Sequence, residues 1–543
     1  MTLTRSAQFP GNHWLVLVFL VSLCTSANAT TAATTLTEVS ATPETLIVSG
    51  TVAEGMAHLA EGLPGAGTEL TKVPFTTLRG PCQFEMAIPR LAGERDRIYS
   101  SFGIVQSNAA GASVVLGTER FPHVFRNISR NSDPVPTARS KKGLQVQLID
   151  DAVALGVQHA ALNLNFSQLI QRERQPSSEI ETCGGRTFAF NAGYVASMDH
   201  QIKTLSDAGA TVSLILLAYE SSDPLLNSLV LHPSYDRSCP NHLGAFNTVT
   251  REGAEQFIAT MEFLARRYCA SNYPHGRVAN FILGNEVNSH WFWSNRGQCS
   301  MTEFATDYLG ALRLASTAVR KASSSARVYV SLEHHWNIRY PGGNARQTFE
   351  GRPFLDFLHS KSVAEGDFEW HVAFHPYPEN LFECRTWNDR SATPSSNTPR
   401  ITFKNIDQLT TYLAASEWRY DPPPHEAYSR RVRRVILSEQ GFHCSNDPEG
   451  ERRQAAAYAY AYRKIAKNPG IDAFILHRHV DHAHEGGLNL GLWTHKPGTI
   501  AEPDQHRLVY EVFRKADQPE WSEAFAFALP IIGIPSWKEI ETP

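Results

Sequence analysis

The 543-residue chain is 42% hydrophobic and 19% charged, enough apolar material for one large core and a smaller companion. A formal net charge of −4 excludes the basic surface that nucleic-acid binding needs. Beyond the first thirty residues no run is long and apolar enough to cross a membrane.

Arg5 and His13 precede an apolar run from Trp14 to Leu23, and Ala27-Asn28-Ala29 follows with small residues suited to cleavage. Residues 1–29 therefore read as a secretory signal peptide, too short to span a bilayer. The mature protein is expected in the periplasm or outside the cell, with no membrane attachment once the leader is gone. Cys24 could carry a lipid, but Leu23 before it is too large for a typical lipobox. Removing the leader leaves Cys82, Cys183, Cys239, Cys269, Cys299, Cys384 and Cys444. An exported chain can pair cysteines, and the absence of any Cys-x-x-Cys spacing argues against structural zinc.

Residues 30–43, rich in Thr and Ala, read as flexible. From 44 to 135 the signals are short and β-like, as in Thr45–Val48 and Cys82–Ile88, with Gly and Pro between them. The last of these, Ser113–Leu116, is a candidate first barrel strand. Asp133-Pro134-Val135-Pro136 marks a linker. From 136 to 543 strands and helices alternate. The apolar spacing predicts a helix over 144–155, and strands at 158–166, 211–218, 281–283, 328–332, 369–374, 435–437 and 471–476. Ser300-Met-Thr-Glu303 is a capping box for a helix to Ala322. This alternation predicts an α/β fold, a (β/α)8 barrel with a small N-terminal β-rich region. Counting back from the last strand places Glu286 after strand four and Glu439 after strand seven. Cys183, Cys239, Cys299, Cys384 and Cys444 then all fall in loops after strands, so at least one disulfide is expected among them.

The chemistry gathers at Phe281-Ile-Leu-Gly-Asn285-Glu286-Val-Asn288 and Val435-Ile-Leu-Ser-Glu439-Gln-Gly-Phe442. A buried strand of a parallel sheet is a continuous apolar run, and a carboxylate just past it stands at the mouth where barrels keep their chemistry. These segments resemble the two-Glu signature of the clan-A retaining glycoside hydrolases, as does His375-Pro-Tyr377 after strand six. Gly491-Leu-Trp493 and Val509–Phe513 resemble the clan's last loop and helix. The set also resembles a secreted bacterial family of barrels of unknown function. The resemblance covers roughly 140–516. It implies Glu286 as acid/base, Glu439 as nucleophile, Asn285 on the sugar 2-hydroxyl, and His375 or Tyr377 beside the nucleophile. A carbohydrate substrate and no cofactor follow from it.

Other residues near strand ends are candidate substrate contacts: Asn163, Asn288, His335, His477, and the tryptophans Trp291, Trp293, Trp336 and Trp493, whose flat rings match the C–H faces of sugars. Trp387 is a further loop tryptophan. The clan commonly has a Trp at the end of strand eight, where this chain reads Leu476-His477-Arg478-His479. Two alternatives stay open. His477-x-His479-x-Asp481-His482 has the ligand spacing of metallo-β-lactamase-like hydrolases and could hold a catalytic metal, although that motif comes early in such enzymes. The other is a sugar-binding barrel without catalysis. No Gly-x-Ser-x-Gly elbow or phosphate loop occurs. The sugar, the linkage, endo or exo action and the oligomeric state are set by loop shapes that carry no sequence signal.

Overall fold

The computed structural model describes residues 33–67, 75–107, 113–420 and 431–541. The leader expected over 1–29, with Cys24, lies outside the described residues. Eight parallel strands close into a barrel: Lys142–Gln145, His159–Asn165, Thr211–Tyr219, Val278–Leu283, Arg327–Glu333, His371–His375, Val435–Leu437 and Ile471–Leu476. Each pairs with the next in chain order, and the eighth closes on the first with Phe474 opposite Lys142 and Leu476 opposite Leu144. The helices Ile149–Ala154, Ala192–Asp207, Arg251–Tyr268, Met301–Ala322, Gly351–Ala364, Asp407–Ala414, Gly450–Ile465 and Leu508–Lys515 follow the strands in turn. The expected (β/α)8 barrel is the fold this chain adopts.

The strands are apolar on both faces because both faces are covered. Ile282 joins Ile215, Tyr329, Ile436 and Ile475 inside the barrel, while its neighbours Phe281 and Leu283 pack outward under the helices. Each such side chain contributes about 1.5–3 kcal/mol of burial. The capping box at Ser300 forms in both directions, with Glu303 N donating to Ser300 Oγ at 3.3 Å and Ser300 N donating to Glu303 Oε2 at 2.8 Å.

Two expectations about the N-terminal part are corrected. The first barrel strand is Lys142–Gln145, and Ser113–Arg120 instead pairs with Ser101–Ser107 in a separate sheet. Residues 144–155 are thus the end of a strand and a short helix. A four-residue strand carries too few apolar positions to separate a period of 2 from one of 3.6. Within 30–43, Thr35–Ala41 is a strand paired with Thr45–Gly62, its Leu36, Val39 and Ala41 buried. Threonine-rich segments suit strands once one face is covered.

The N-terminal β-rich part, built on a six-stranded sheet, meets the third and fourth barrel helices through the segments between and after its strands. Tyr99 donates to Glu262 at 2.6 Å, Lys321 reaches Asp96 at 3.0 Å, and Ser129 donates to the Arg320 carbonyl at 2.6 Å. The disulfide expected among Cys183, Cys239, Cys299, Cys384 and Cys444 is not formed: these five thiols are not joined to one another. Sharing one end of the barrel does not bring the sulfurs together. Cys183 lies in the field of Glu262, against the docked sheet, whereas Cys239 donates to Tyr235 Oη at 3.4 Å. Burial pushes the thiols of Cys183 and Cys384 up to about 12, as suits small buried side chains without reactive character.

The N-terminal end of the barrel opens into a cavity of ≈ 1130 Å³ lined by Lys141, Arg327, Arg434 and Asp472, among others. Arg327 and Arg434 both pair with Asp472, at 3.2 and 3.1 Å. Nearby, the fully buried Lys142 of strand one holds Asp517 at 2.5 Å, just beyond the last barrel helix. Removing one partner of a buried pair leaves the other charge uncompensated, at a cost of about 3–5 kcal/mol. Asp517→Ala is therefore expected to lower the thermal midpoint sharply, and the double variant Lys142→Met/Asp517→Leu to recover most of the loss in calorimetry.

Candidate active site

Strand four ends in a left-handed turn. Gly284 takes φ +74° without cost, and Glu286 takes φ +41°, a conformation that costs a non-glycine residue about 1–3 kcal/mol. The turn is fastened by the Glu286 amide, which donates to Ser331 Oγ of strand five at 3.0 Å. Glu286 Oε1 then accepts from His375 Nδ1 of strand six at 3.0 Å, and His375 Nε2 meets Ser438 Oγ of strand seven at 3.0 Å. The next residue is Glu439, whose Oε1 accepts from Tyr377 Oη at 3.1 Å. Behind it, a Cβ on Gly441 would sit 2.1 Å from the His477 carbonyl, so only glycine lets this loop pass over strand eight. An oxygen of Glu286, an oxygen of Glu439 and a nitrogen of His375 all lie within 4.8 Å of one another.

Burial raises the proton affinity of Glu286, whose side chain is 13% exposed. The hydrogen bond and charge of His375 work against that rise, and the carboxylates of Glu439 and Glu333 add to it, leaving the carboxyl above its ordinary value. His375 is 2% exposed. Burial alone would lower it, yet the fields of Glu439 and Glu286 outweigh burial and raise it. Burial, then Glu439, likewise pushes the Tyr377 hydroxyl well up.

Glu333, at the end of strand five, is a third acid that the sequence did not single out. Its Oε1 accepts from Asn288 Nδ2 at 2.6 Å and Ser289 Oγ at 3.0 Å. Its Oε2 accepts from the His335 amide at 2.9 Å and from His335 Nδ1 at 2.6 Å. Burial opposes ionisation, but the hydrogen bond and charge of His335 outweigh it and hold Glu333 down at about 2. Glu333, His334 and His335 are close enough to ligate an ion. Every oxygen of Glu333 is already used, however, and Arg400 lies 3.2 Å from His335 Nε2. The donors present suit a fixed anion better than a cation site.

The candidate contacts divide. His375 and Tyr377 meet the carboxylate pair directly. Asn285 is half-buried beside Glu286, and its side chain makes no hydrogen bond among the described residues, leaving its amide free. Trp293 is half-buried against the apolar interior of the barrel. Tyr219, at the end of strand three, was not anticipated. Burial first, then the field of Glu439, raises its hydroxyl. Asn163 is open to solvent and accepts from Gln145 Nε2 at 3.0 Å. Asn288 and His335 are spent on Glu333, and Asn288 is 0% exposed. Trp291 is buried in its loop, Trp336 at 2% exposure meets Tyr412 edge-on, and Trp387 packs against Tyr460. None of the buried side chains Asn288, Trp291, His335 and Trp336 has a surface to offer a ligand. Trp493 donates to Asp151 at 2.9 Å and packs on His506 and Tyr510, so these partners hold its ring.

Strand eight ends in His477, bonded to Gln145 and, at 2.8 Å, to Glu485. The metal-like spacing that begins there is not a metal-like cluster. His479 meets Asp151 at 2.8 Å, Asp481 pairs with Arg507 at 2.6 Å, and His482 accepts from the His484 amide at 3.2 Å. Four neighbours in sequence thus take four separate partners, and the motif does not converge among the described residues.

A family model described as "Family of unknown function (DUF5722)" matches residues 134–540. No curated protein matches the chain. Among solved structures, the chain is similar to a family 39 glycoside hydrolase from Bacteroides cellulosilyticus WH2, with 12% identity, TM-score 0.41, 90% of this chain and 82% of the other covered. It is similar to a β-glucosidase from Pyrococcus furiosus, with 16% identity, TM-score 0.42 and 70% and 86% covered. A family 1 β-glucosidase from Thermotoga maritima gives 13% identity, TM-score 0.40 and 72% and 86%. The barrel itself is established by its own strand pairing.

A buried carboxyl with raised proton affinity destabilises the fold when ionised. Its contribution is therefore most favourable at low pH and is lost as pH rises through its folded value. Glu286→Gln is expected to raise the thermal midpoint at pH 8, with the gain shrinking toward pH 4, where Glu286 is itself neutral. A melting series over pH 4–8 checks the trend.

Proposed function

This chain belongs to the family of unknown function DUF5722, and we propose that it is a retaining glycoside hydrolase acting on an oligo- or polysaccharide. The observation that carries the reading is the approach of Glu286 and Glu439 within 4.8 Å beside His375. Retaining pairs stand about 5–5.5 Å apart and inverting pairs about 6.5–9.5 Å. The titration behaviour of Glu286 supports the division of roles: the group with raised proton affinity is the acid.

In this mechanism Tyr377 holds Oε1 of Glu439, and the other carboxylate oxygen attacks the anomeric carbon. The C–O bond to the leaving group breaks as Glu286 gives that oxygen its proton. His375 occupies Oε1 of Glu286, so the proton is carried on Oε2. Asn285, with its amide unspent, holds the sugar 2-hydroxyl. Water then enters, Glu286 takes its proton, and the hydroxide oxygen displaces Glu439, restoring both groups. Export belongs to the same proposal, since the leader that would direct it lies outside the described residues. No helix among the described residues is long and apolar enough to cross a membrane.

Purified protein screened against a polysaccharide panel tests this reading. Glu439→Gln should lose activity by on the order of 10⁴-fold with the fold intact. Glu286→Gln should lose about 10²–10⁴-fold on unactivated substrates, much less on aryl glycosides with good leaving groups, and respond to azide. The alkaline limb of the pH profile should vanish in Glu286→Gln, because loss of the acid's proton causes it. Inverted product configuration in the NMR spectrum, or full activity in both variants, would refute the assignment.

Glu286, His375 and Glu439 are also close enough to share a metal ion. Both nitrogens of His375 are already engaged by Glu286 and Ser438, which favours the metal-free reading. Hydrolysis is accordingly expected to survive EDTA. Loss on chelation with recovery on adding zinc would move the chemistry to that ion.

A further inference from the structure

Glu485 is an acid at the mouth that the mechanism above leaves unused. The His477 amide donates to the carbonyl of Gln440, the residue after Glu439, at 2.8 Å, and the His477 ring bonds to Glu485, so Glu485 stands at the same mouth as the carboxylate pair. Its side chain is 21% exposed. Oε1 meets His477 Nε2 at 2.8 Å and Oε2 meets Arg478 Nη1 at 2.6 Å. Burial opposes ionisation, but the hydrogen bond and charge of His477, then Arg478, outweigh it and bring Glu485 down to about 2. It is a fixed anion with one donor on each oxygen, and a carboxylate oxygen accepts two.

The polar wall continues sideways. His477 bonds to Gln145, and Gln145 donates to Asn163 at 3.0 Å. The ends of strands eight, one and two thus offer hydrogen-bonding groups where a stacking ring would otherwise hold the sugar.

We propose that Glu485, held in place by His477 and Arg478, selects the sugar at the reacting subsite by accepting hydroxyls from the edge of an uncharged ring, and that it turns away sugar acids. The inference rests on the glycosidase reading and deepens it. Sugar hydroxyls donate well to an ionised carboxylate, and such charge-assisted bonds are stronger than neutral ones. A sugar carboxylate at the same place would face Glu485 and Glu439 together, while the nearby Arg478 guanidinium is already engaged by Glu485. Like charges across a contact reject the wrong ligand.

The test compares kcat/KM of the wild type, Glu485→Gln and Glu485→Asp on two matched pairs: p-nitrophenyl β-glucoside with β-glucuronide, and p-nitrophenyl β-galactoside with β-galacturonide. The wild type should prefer the neutral member. Glu485→Gln should lose about 10–10²-fold on it, the worth of charged hydrogen bonds. It should also shift the ratio at least tenfold toward the uronide, because His477 and Arg478 are released to meet an anion. Glu485→Asp, which keeps the charge, should keep the neutral preference, a result that a merely folding-related effect would not give. A wild-type preference for the uronide, or an unchanged ratio in Glu485→Gln, overturns the proposal. If the wild type cleaves none of the four and none of the polysaccharide panel, the glycosidase reading is what has failed. Calorimetry of glucose, galactose and their uronic acids with wild type and Glu485→Gln then decides: neutral-sugar binding lost in the variant supports the proposal, and its absence in both overturns it.

Discussion

The contact on which the mouth of this barrel depends is the one between His375 and Glu286, 3.0 Å long and 2% exposed on the imidazole side. It joins strand six to strand four, and the other nitrogen of the same ring reaches Ser438 on strand seven. Two acids of like charge do not approach each other unaided. A buried imidazole between them supplies the donor and the opposing charge that let Glu286 sit in a strained left-handed turn close to Glu439. The ring is held in turn by the barrel, whose strands five to seven bring Ser331, His375 and Ser438 into reach.

Around that contact the molecule divides by end. At the C-terminal ends of the strands, loops carry the acids and their donors. At the N-terminal ends, Arg327 and Arg434 share Asp472, and Lys142 holds Asp517. These pairs join strands five, seven and eight, and strand one to the segment after the last helix. The segment Asp96–Tyr99 of the N-terminal part adds a third brace, to Lys321 and Glu262 on the helices that flank strand four. The candidate site at one end is thus separated from closure at the other.

Much of this was legible in the chain. Continuous apolar runs ending in Gly-Asn-Glu and Ser-Glu marked strands four and seven, because strands buried on both faces have no polar alternation to hide them. The Ser300 cap, the helix order and the His-Pro-Tyr turn were legible for similarly local reasons. What failed was orientation within loops. Trp291, Trp336 and Asn288 stand just past strand ends, but nothing in a sequence says which way an irregular loop turns a side chain, and these three turn inward. The His477–His482 spacing, an alternative that the chain left open, does not converge for the same reason: adjacency along an extended loop sends alternate side chains apart, to Glu485, Asp151 and Arg507. Glu333 and Glu485 escaped notice because each is one acid at an unremarkable place, and only the donors gathered from distant segments reveal it.

The closeness of Glu439 to Glu286 has a temporal side. The charge on Glu439 is part of what holds the proton on Glu286. In the retaining mechanism proposed above, bonding of Glu439 to a sugar carbon would remove that charge and weaken the hold, while His375 stays at its post. In the proposed reaction Glu286, having already given its proton to the leaving group, then stays ionised and ready to take one from water at the stage when a base is required, and it recovers its grip when the bond to Glu439 breaks. Under that proposal one fixed side chain would serve two opposite duties in alternation, timed by the bonding state of its neighbour.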